Sequence, residues 1–237
     1  MSSDAVVELP GNWTLTTCHA DRLHTTQRLA EGLSDNASSE PSFSLLKLGC
    51  RPHGPAVCRG LSKNRRLAAG CRSATFLDTS NTLHRHACAR RGGDIYCGHF
   101  YAPYFLKDQI SALGGGHRCD WEHAAIWTKT GVVTHGGYSA HCKLYNQEIG
   151  ALDQQDGHMK IVYHKDGALT HCMRFAKAGE VAENAYGQFV TPDIISWQVL
   201  WGDGRSNAQM RAKLDAFDYG SGVIPMRDDT FIGNLNT

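Results

Sequence analysis

Between residues 46 and 175 the chain breaks into short β-branched and aromatic runs separated by Gly, Asn, Asp and Pro, a spacing that suits strands and leaves little room for long helices. The clearest unit is Lys160-Ile161-Val162-Tyr163-His164, which turns at Lys165-Asp166-Gly167 and returns over residues 168–175. The Asp-Gly step tolerates positive φ, so a hairpin is expected there. Helical spacing follows over residues 193–200 and 207–217, where Ile194, Ile195, Trp197 and Val199 are too densely apolar to stay exposed. Residues 1–45 are polar and Ser-rich, with one helix-like stretch over residues 20–33, and read as a loosely attached N-terminal arm. No repeat of solenoid or propeller period is present. Many short strands and few helices predict a mainly β fold, a two-sheet β-sandwich with flanking helices. With 237 residues and 41% hydrophobic content, residues 46–237 are expected to form one domain around a sizeable core.

Polar chemistry concentrates in Gly115-Gly116-His117-Arg118-Cys119-Asp120-Trp121-Glu122-His123. The residues that follow, to Thr128, read as a strand ending at Lys129-Thr130-Gly131. Strand alternation puts Asp120 and Glu122 on one face and Cys119, Trp121 and His123 on the other. Neighbouring carboxylates repel unless a cation neutralises them or one stays protonated. His117 reaches the same face across a glycine-eased bend, and Asp108 reaches it from a preceding Leu106-Lys107-Asp108 loop. Three carboxylates and one imidazole suit Mg2+, Ca2+ or Mn2+ better than a thiolate-seeking ion. The same residues also fit a plain arrangement in which Asp120 caps a turn, Glu122 is solvated and His117 has no role. His135-Gly136-Gly137-Tyr138 reads as a tight bend near this site. Trp121, His135 and Tyr138 are candidate ligand contacts.

Nine cysteines without a Cys-x-x-Cys pair favour disulfides in an exported chain over thiolate zinc or catalysis, and the odd number leaves at least one thiol free or paired outside the chain. Two sequons, at Asn12 and Asn36, agree with export. The start Met1-Ser2-Ser3-Asp4 lacks the basic and apolar parts of a secretory signal, so a signal is expected to have been removed. No apolar run reaches the roughly 18 to 20 residues of a spanning helix, and any membrane contact is expected to be peripheral. From Lys47 to Arg91 the chain carries Lys47, Arg51, Arg59, Lys63, Arg65, Arg66, Arg72, Arg85, Arg90 and Arg91 against Asp78 alone. Such a segment either draws the protein to anionic headgroups or is a solvated surface; sparse aromatics and the lack of a recognition helix argue against nucleic acid. Thirteen histidines read as scatter, since no His-Glu-x-x-His, nucleophile elbow or phosphate loop is present. A cysteine protease pairing Cys142 or Cys172 with His135 or His171 is outweighed by disulfide or buried-thiol roles. A monomer without enzymatic activity is expected.

Gly116-His117-Arg118-Cys119-Asp120-Trp121-Glu122 resembles the Gly-His-Arg-His-Asp-Trp-Glu heptapeptide of the necrosis- and ethylene-inducing-protein-like family, secreted microbial toxins that lyse dicot plant cells. Gly49-Cys50-Arg51-Pro52-His53-Gly54-Pro55-Ala56-Val57 and Tyr101-Ala102-Pro103-Tyr104-Phe105-Leu106-Lys107-Asp108 resemble further family runs, as do His135-Gly136-Gly137-Tyr138, Val162-Tyr163-His164-Lys165-Asp166-Gly167 and the C-terminal segment from Asp218. The resemblance implies a β-sandwich akin to fungal lectins and sea-anemone pore-formers. It implies a divalent cation held by Asp108, His117, Asp120 and Glu122, a sugar-bearing sphingolipid target (glycosyl inositol phosphoryl ceramide) at the plant plasma membrane, and a Cys71–Cys97 bridge. Cys119, Pro103 and Leu106 depart from the family pattern at positions that bear on toxicity and on immune recognition of the peptide. A lectin that binds the glycolipid through the same metal without lysis is the alternative.

Overall fold

The computed structural model describes residues 14–16, 42–45, 52–53 and 81–235, apart from 112–113, 142, 167–170, 183, 185, 201–205, 217–218 and 220–222. The expected helix over residues 20–33, the asparagines of both sequons, the basic residues from Lys47 to Arg72, and Cys50, Cys58, Cys71 and Cys142 lie outside the described residues, as does the Cys119 side chain.

The strands are β1 (Thr14–Thr16), β2 (Ser42–Leu45), β3 (Pro52–His53), β4 (Asn81–Arg91), β5 (Asp94–Ser111), β6 (Gly114–Trp121), β7 (Ala124–Lys129), β8 (Val132–Ala140), β9 (Lys143–Glu148), β10 (Gln154–Gln155), β11 (His158–Lys165), β12 (His171–Phe175) and β13 (Asp193–Ser196). Helices α1 (Asn207–Ala216) and α2 (Phe231–Asn234) close the chain. Among the described residues the strands form two sheets. One has the path β1-β4-β5-β7-β8-β9, with β13 on β4 and β3 and β6 on β5; the other is β10-β11-β12, with β2 parallel to β11. The two-sheet sandwich with flanking helices is therefore borne out, and the β11–β12 hairpin lies where the Asp166-Gly167 step placed it.

β5 lies at the centre of the larger sheet, and both of its faces are buried. Phe100, Ala102 and Tyr104 join Leu83, Trp121, Ala125, Trp197, Leu214 and Phe231 in a core beneath α1 and α2. The alternate residues Tyr101 and Phe105 join Ala124, Ile126, Met159, Ile161, Tyr163 and Met173 in a second core between the sheets. A strand covered on both sides loses its polar alternation and becomes a continuous apolar run. For the same reason residues 193–200 do not form the expected helix. Residues 193–196 are β13, parallel to β4, with Ile194 in the inter-sheet core and Ile195 against the other core, and residues 197–199 make only a 3-10 turn. Two-sided burial had imitated helical density. The helix expected over residues 207–217 is present as α1.

The β4–β5 hairpin turns on Gly92 and Gly93, whose φ values of 59° and 94° call for glycine. Counting four residues outwards from Gly92 and from Gly93 reaches Cys88 and Cys97, which register places opposite one another, with Cα atoms 4.0 Å apart and a disulfide between them. This corrects the implied Cys71–Cys97 bridge: strand pairing had already given Cys97 a partner. Between the same strands His84, His86 and His99 stack at centroid separations of 5.1 to 5.5 Å. Burial pushes His99 down to about 3 and His84 well below the usual range, so both are neutral in the folded protein. Arg85 is not free to meet a membrane: it pairs with Asp228 at 2.7 Å, donates to the Met226 carbonyl and lies over the Phe231 ring.

Gly136 and Gly137 do not form a bend. They lie inside β8, paired with β7 and β9. A Cβ at Gly136 would overlap the Met159 sulfur and approach Leu152 Cδ1 to 2.7 Å, and one at Gly137 would collide with Asn146 Oδ1. Glycine is required here because Met159 of the second sheet crowds Gly136 and the neighbouring strands β7 and β9 crowd Gly137. Gly136→Ala is accordingly expected to cost about 1–3 kcal/mol as overpacking, read as a lower denaturation midpoint with unchanged m-value.

Candidate metal centre

Asp108 sits within β5, not in a loop as expected, and its register partner on β6 is His117; Phe105 pairs with Asp120. The two pairs are three residues apart along each strand, so flat alternation would put them on opposite faces. All four expected ligands nevertheless line one cavity of about 610 Å³, with Trp121, His123, Ser139, His141 and His171 also on its wall. Glu122 lies just past the end of β6, where regular alternation stops, which is how Trp121 and His123 reach the same wall.

The three carboxylates are buried: Asp108 is 1% exposed, Asp120 7% and Glu122 8%. The His171 backbone N–H is shared between both Asp108 carboxylate oxygens at 2.9 and 3.0 Å, and Asp108 Oδ1 lies 2.7 Å from His171 Nδ1. His117 Nε2 is 3.5 Å from Asp108 Oδ2. Asp120 accepts from the Tyr163 hydroxyl at 3.0 Å, and Glu122 accepts from Ser139 Oγ, which also accepts the His123 N–H at 2.8 Å. Burial, followed by the charge of Asp108, pushes Asp120 up to about 6; burial and Asp120 together push Glu122 well above the usual carboxylate range. Burial also raises Tyr163, so it remains a phenol donating to Asp120.

His171 was not foreseen as part of this centre. It comes from β12, 63 residues beyond Asp108, and no local motif marks it. With Nδ1–H given to Asp108, its Nε2 is a buried acceptor without a hydrogen-bond partner. Trp121 belongs mainly to the core, packed on Tyr104 and Tyr219 at 5.0 and 5.8 Å. His135 is exposed on β8 opposite Glu148, and Tyr138 packs on Tyr145 and Phe175; neither is among the described residues lining the cavity.

The donor set fits a hard divalent cation. Three buried carboxylates, two of them pushed towards protonation, are the groups whose repulsion a cation relieves, and the orphaned His171 Nε2 faces the same need for a partner. The four expected ligands do not form a tight cage: among the described residues, the groups of three or more with ligand atoms all within 4.8 Å are His84, His86 and His99, and His141, Asp166 and Cys172. Donors spread around a roomy cavity suit an ion that keeps part of its water shell.

The sequence profile described as necrosis inducing protein (NPP1) matches residues 39–237. The chain belongs to the NPP1 family. Among NPP1-family relatives, "NLP effector protein 14" of Phytophthora capsici is 31% identical over 148 residues, covering 57% of this chain and 95% of that protein. "NLP effector protein 3" of the same organism is 29% identical over 143 residues, 55% of this chain and about half (51%) of the relative. Solved structures share the fold. One described as a toxin fold for microbial attack and plant defence has TM-score 0.63 at 22% identity, covering 89% of each chain. NLPPya in complex with glucosamine gives 0.61 at 23%, covering 89% of this chain and 88% of that one. The non-toxic HaNLP3 gives 0.62 at 18%, covering 90% and 91%.

Proposed function

We propose that this NPP1-family chain is a secreted cytolysin that binds the sugar headgroup of a plant sphingolipid, glycosyl inositol phosphoryl ceramide, at a divalent cation centre and then damages the membrane. The observation that carries the reading is the convergence of buried Asp108, Asp120 and Glu122 with His117 on one open cavity. When bound, the cation would supply Lewis-acid sites for sugar hydroxyls. The chain's own residues do the rest. His117 and the three carboxylates hold the ion, Tyr163 and Ser139 fix carboxylate oxygens, and His171 Nε2 accepts from a water or sugar hydroxyl. The solved complex of NLPPya with glucosamine supports an amino sugar as the kind of group recognised. Around the cavity, Tyr145 and Val223 are 44% and 58% exposed, and Lys143 is exposed beside them. That edge offers apolar surface to acyl chains and a cation to the lipid phosphate.

Binding without turnover is part of the reading. Burial pushes the Cys172 thiol up to about 12 and lowers its neighbour His164, the reverse of what a thiolate–imidazolium nucleophile needs. The alternative, a non-lytic glycolipid binder, is favoured by Cys119 in place of the family's second His. Dye release from vesicles with and without glycosyl inositol phosphoryl ceramide, each with Mg2+, Ca2+ or chelator, separates the two. The cytolysin releases dye only with sphingolipid and cation; the binder sediments with those vesicles and leaves them sealed. Lipid- and cation-independent leakage defeats both.

A further inference from the structure

A second cluster of metal-ligating side chains lies beside the cavity and differs from the first in chemistry. Cys172, on β12, is buried, and its Sγ lies 3.7 Å from Nε2 of His164, its register partner on β11. His164 Nδ1 lies 3.0 Å from the Lys165 carbonyl, an acceptor only, so Nδ1 carries the proton and Nε2 presents its lone pair to the sulfur. Imidazoles that bind zinc are commonly held this way, with the remote ring N–H given to a carbonyl or carboxylate. From the far side His141, in the turn after β8 with φ of 50°, meets Asp166 at 2.9 Å, and ligand atoms of His141, Asp166 and Cys172 all lie within 4.8 Å of one another.

We propose that Cys172, His141 and Asp166 bind a zinc ion, with His164 Nε2, which lies against the sulfur but outside that 4.8 Å group, closing in as the fourth, tetrahedral ligand. Zinc takes sulfur at about 2.3 Å and nitrogen or oxygen at about 2.0 Å, which separates sulfur from nitrogen in a tetrahedron by roughly 3.5 Å, close to the spacing of Cys172 and His164. Charge decides between this cluster and the stacked His84, His86 and His99. A thiolate and a carboxylate neutralise Zn2+, whereas three neutral imidazoles leave its charge uncompensated in a buried place. Binding exchanges the Cys172 S–H proton for the metal, and the proton leaves to solvent. The site ties the β11–β12 hairpin to the β8–β9 turn, on the wall that carries His141 and His171 into the cavity.

The test is a Co2+ titration of the whole chain in excess Mg2+, followed by Zn2+ displacement. Wild type is expected to show a thiolate-to-cobalt charge-transfer band at one equivalent that Zn2+ removes. Cys172→Ser should lose the band, and His141→Gln and Asp166→Asn, both at exposed positions, should weaken Co2+ binding at least tenfold while retaining the wild-type circular dichroism. Co2+ binding unchanged in the two surface variants, or a band persisting in folded Cys172→Ser, overturns the proposal. Asp120→Asn should leave the band intact, which separates failure here from failure of the first centre.

Discussion

Asp120→Asn is expected to reduce sphingolipid-dependent dye release to background while leaving the protein folded. The substitution is nearly isosteric, and an Asn carbonyl still accepts from the Tyr163 hydroxyl, so the inter-sheet core keeps its hydrogen bond. What disappears is one of three carboxylates facing the cavity, and with it an expected hard oxygen ligand. Loss of an outer-shell partner typically weakens metal binding by about 10–100-fold, so loss of a direct ligand is expected at or beyond roughly 100-fold. Asp156→Asn, at an exposed turn, is the matched control and should retain full release. Wild-type leakage in Asp120→Asn would mean that this cup has no part in lysis.

The second large effect concerns stability, and its sign reverses with cation. Asp120 titrates near 6 in the folded state because of burial and then Asp108, against 3.8 when unfolded. A raised carboxyl favours the protonated native state, so its contribution is fully present below about pH 4 and is lost as pH rises through 6. The loss is on the order of 3 kcal/mol for a shift of about two units, and Glu122 moves the same way. The buried neutral imidazoles of His84, His99 and His123 pull oppositely, because their lowered values make acid destabilising. The quantity to measure is therefore the difference between wild type and Asp120→Asn in urea unfolding from pH 4 to 7.5. With chelator the two should coincide near pH 4, and the variant should become the more stable above pH 6. Saturating Mg2+ or Ca2+ should invert that order, since only wild type then gains binding energy. Equal stability at every pH with and without cation would contradict the account.

These effects were partly legible in the sequence, and the boundary has physical causes. Asp108, His117, Asp120 and Glu122 were readable because hard-ligand types crowd a short stretch beside a family-like run. Their geometry was not readable: strict alternation predicts opposite faces for Asp120 and Trp121 and, through the β5–β6 register, for Asp108 and Asp120, yet all three line one cavity. His171 escaped because it arrives through sheet packing, with no neighbour in sequence to announce it. The Cys88–Cys97 pair could have been found, since both cysteines lie equidistant from a Gly-Gly turn, but family position pointed elsewhere. Gly136 and Gly137 looked like a bend because the side chains that exclude a Cβ belong largely to other strands and loops. Residues 193–196 looked helical because burial on both faces erases the period that separates strand from helix.

The most direct trial is diffraction from crystals soaked in Mn2+ and measured for anomalous signal. A peak in the cavity bounded by Asp108, His117, Asp120 and Glu122, present in wild type and missing in Asp120→Asn, is the expected result. A wild-type map with no peak there, and with Asp108 and Glu122 still bonded to His171 and Ser139 as they are without cation, would contradict the centre on which the proposed function rests.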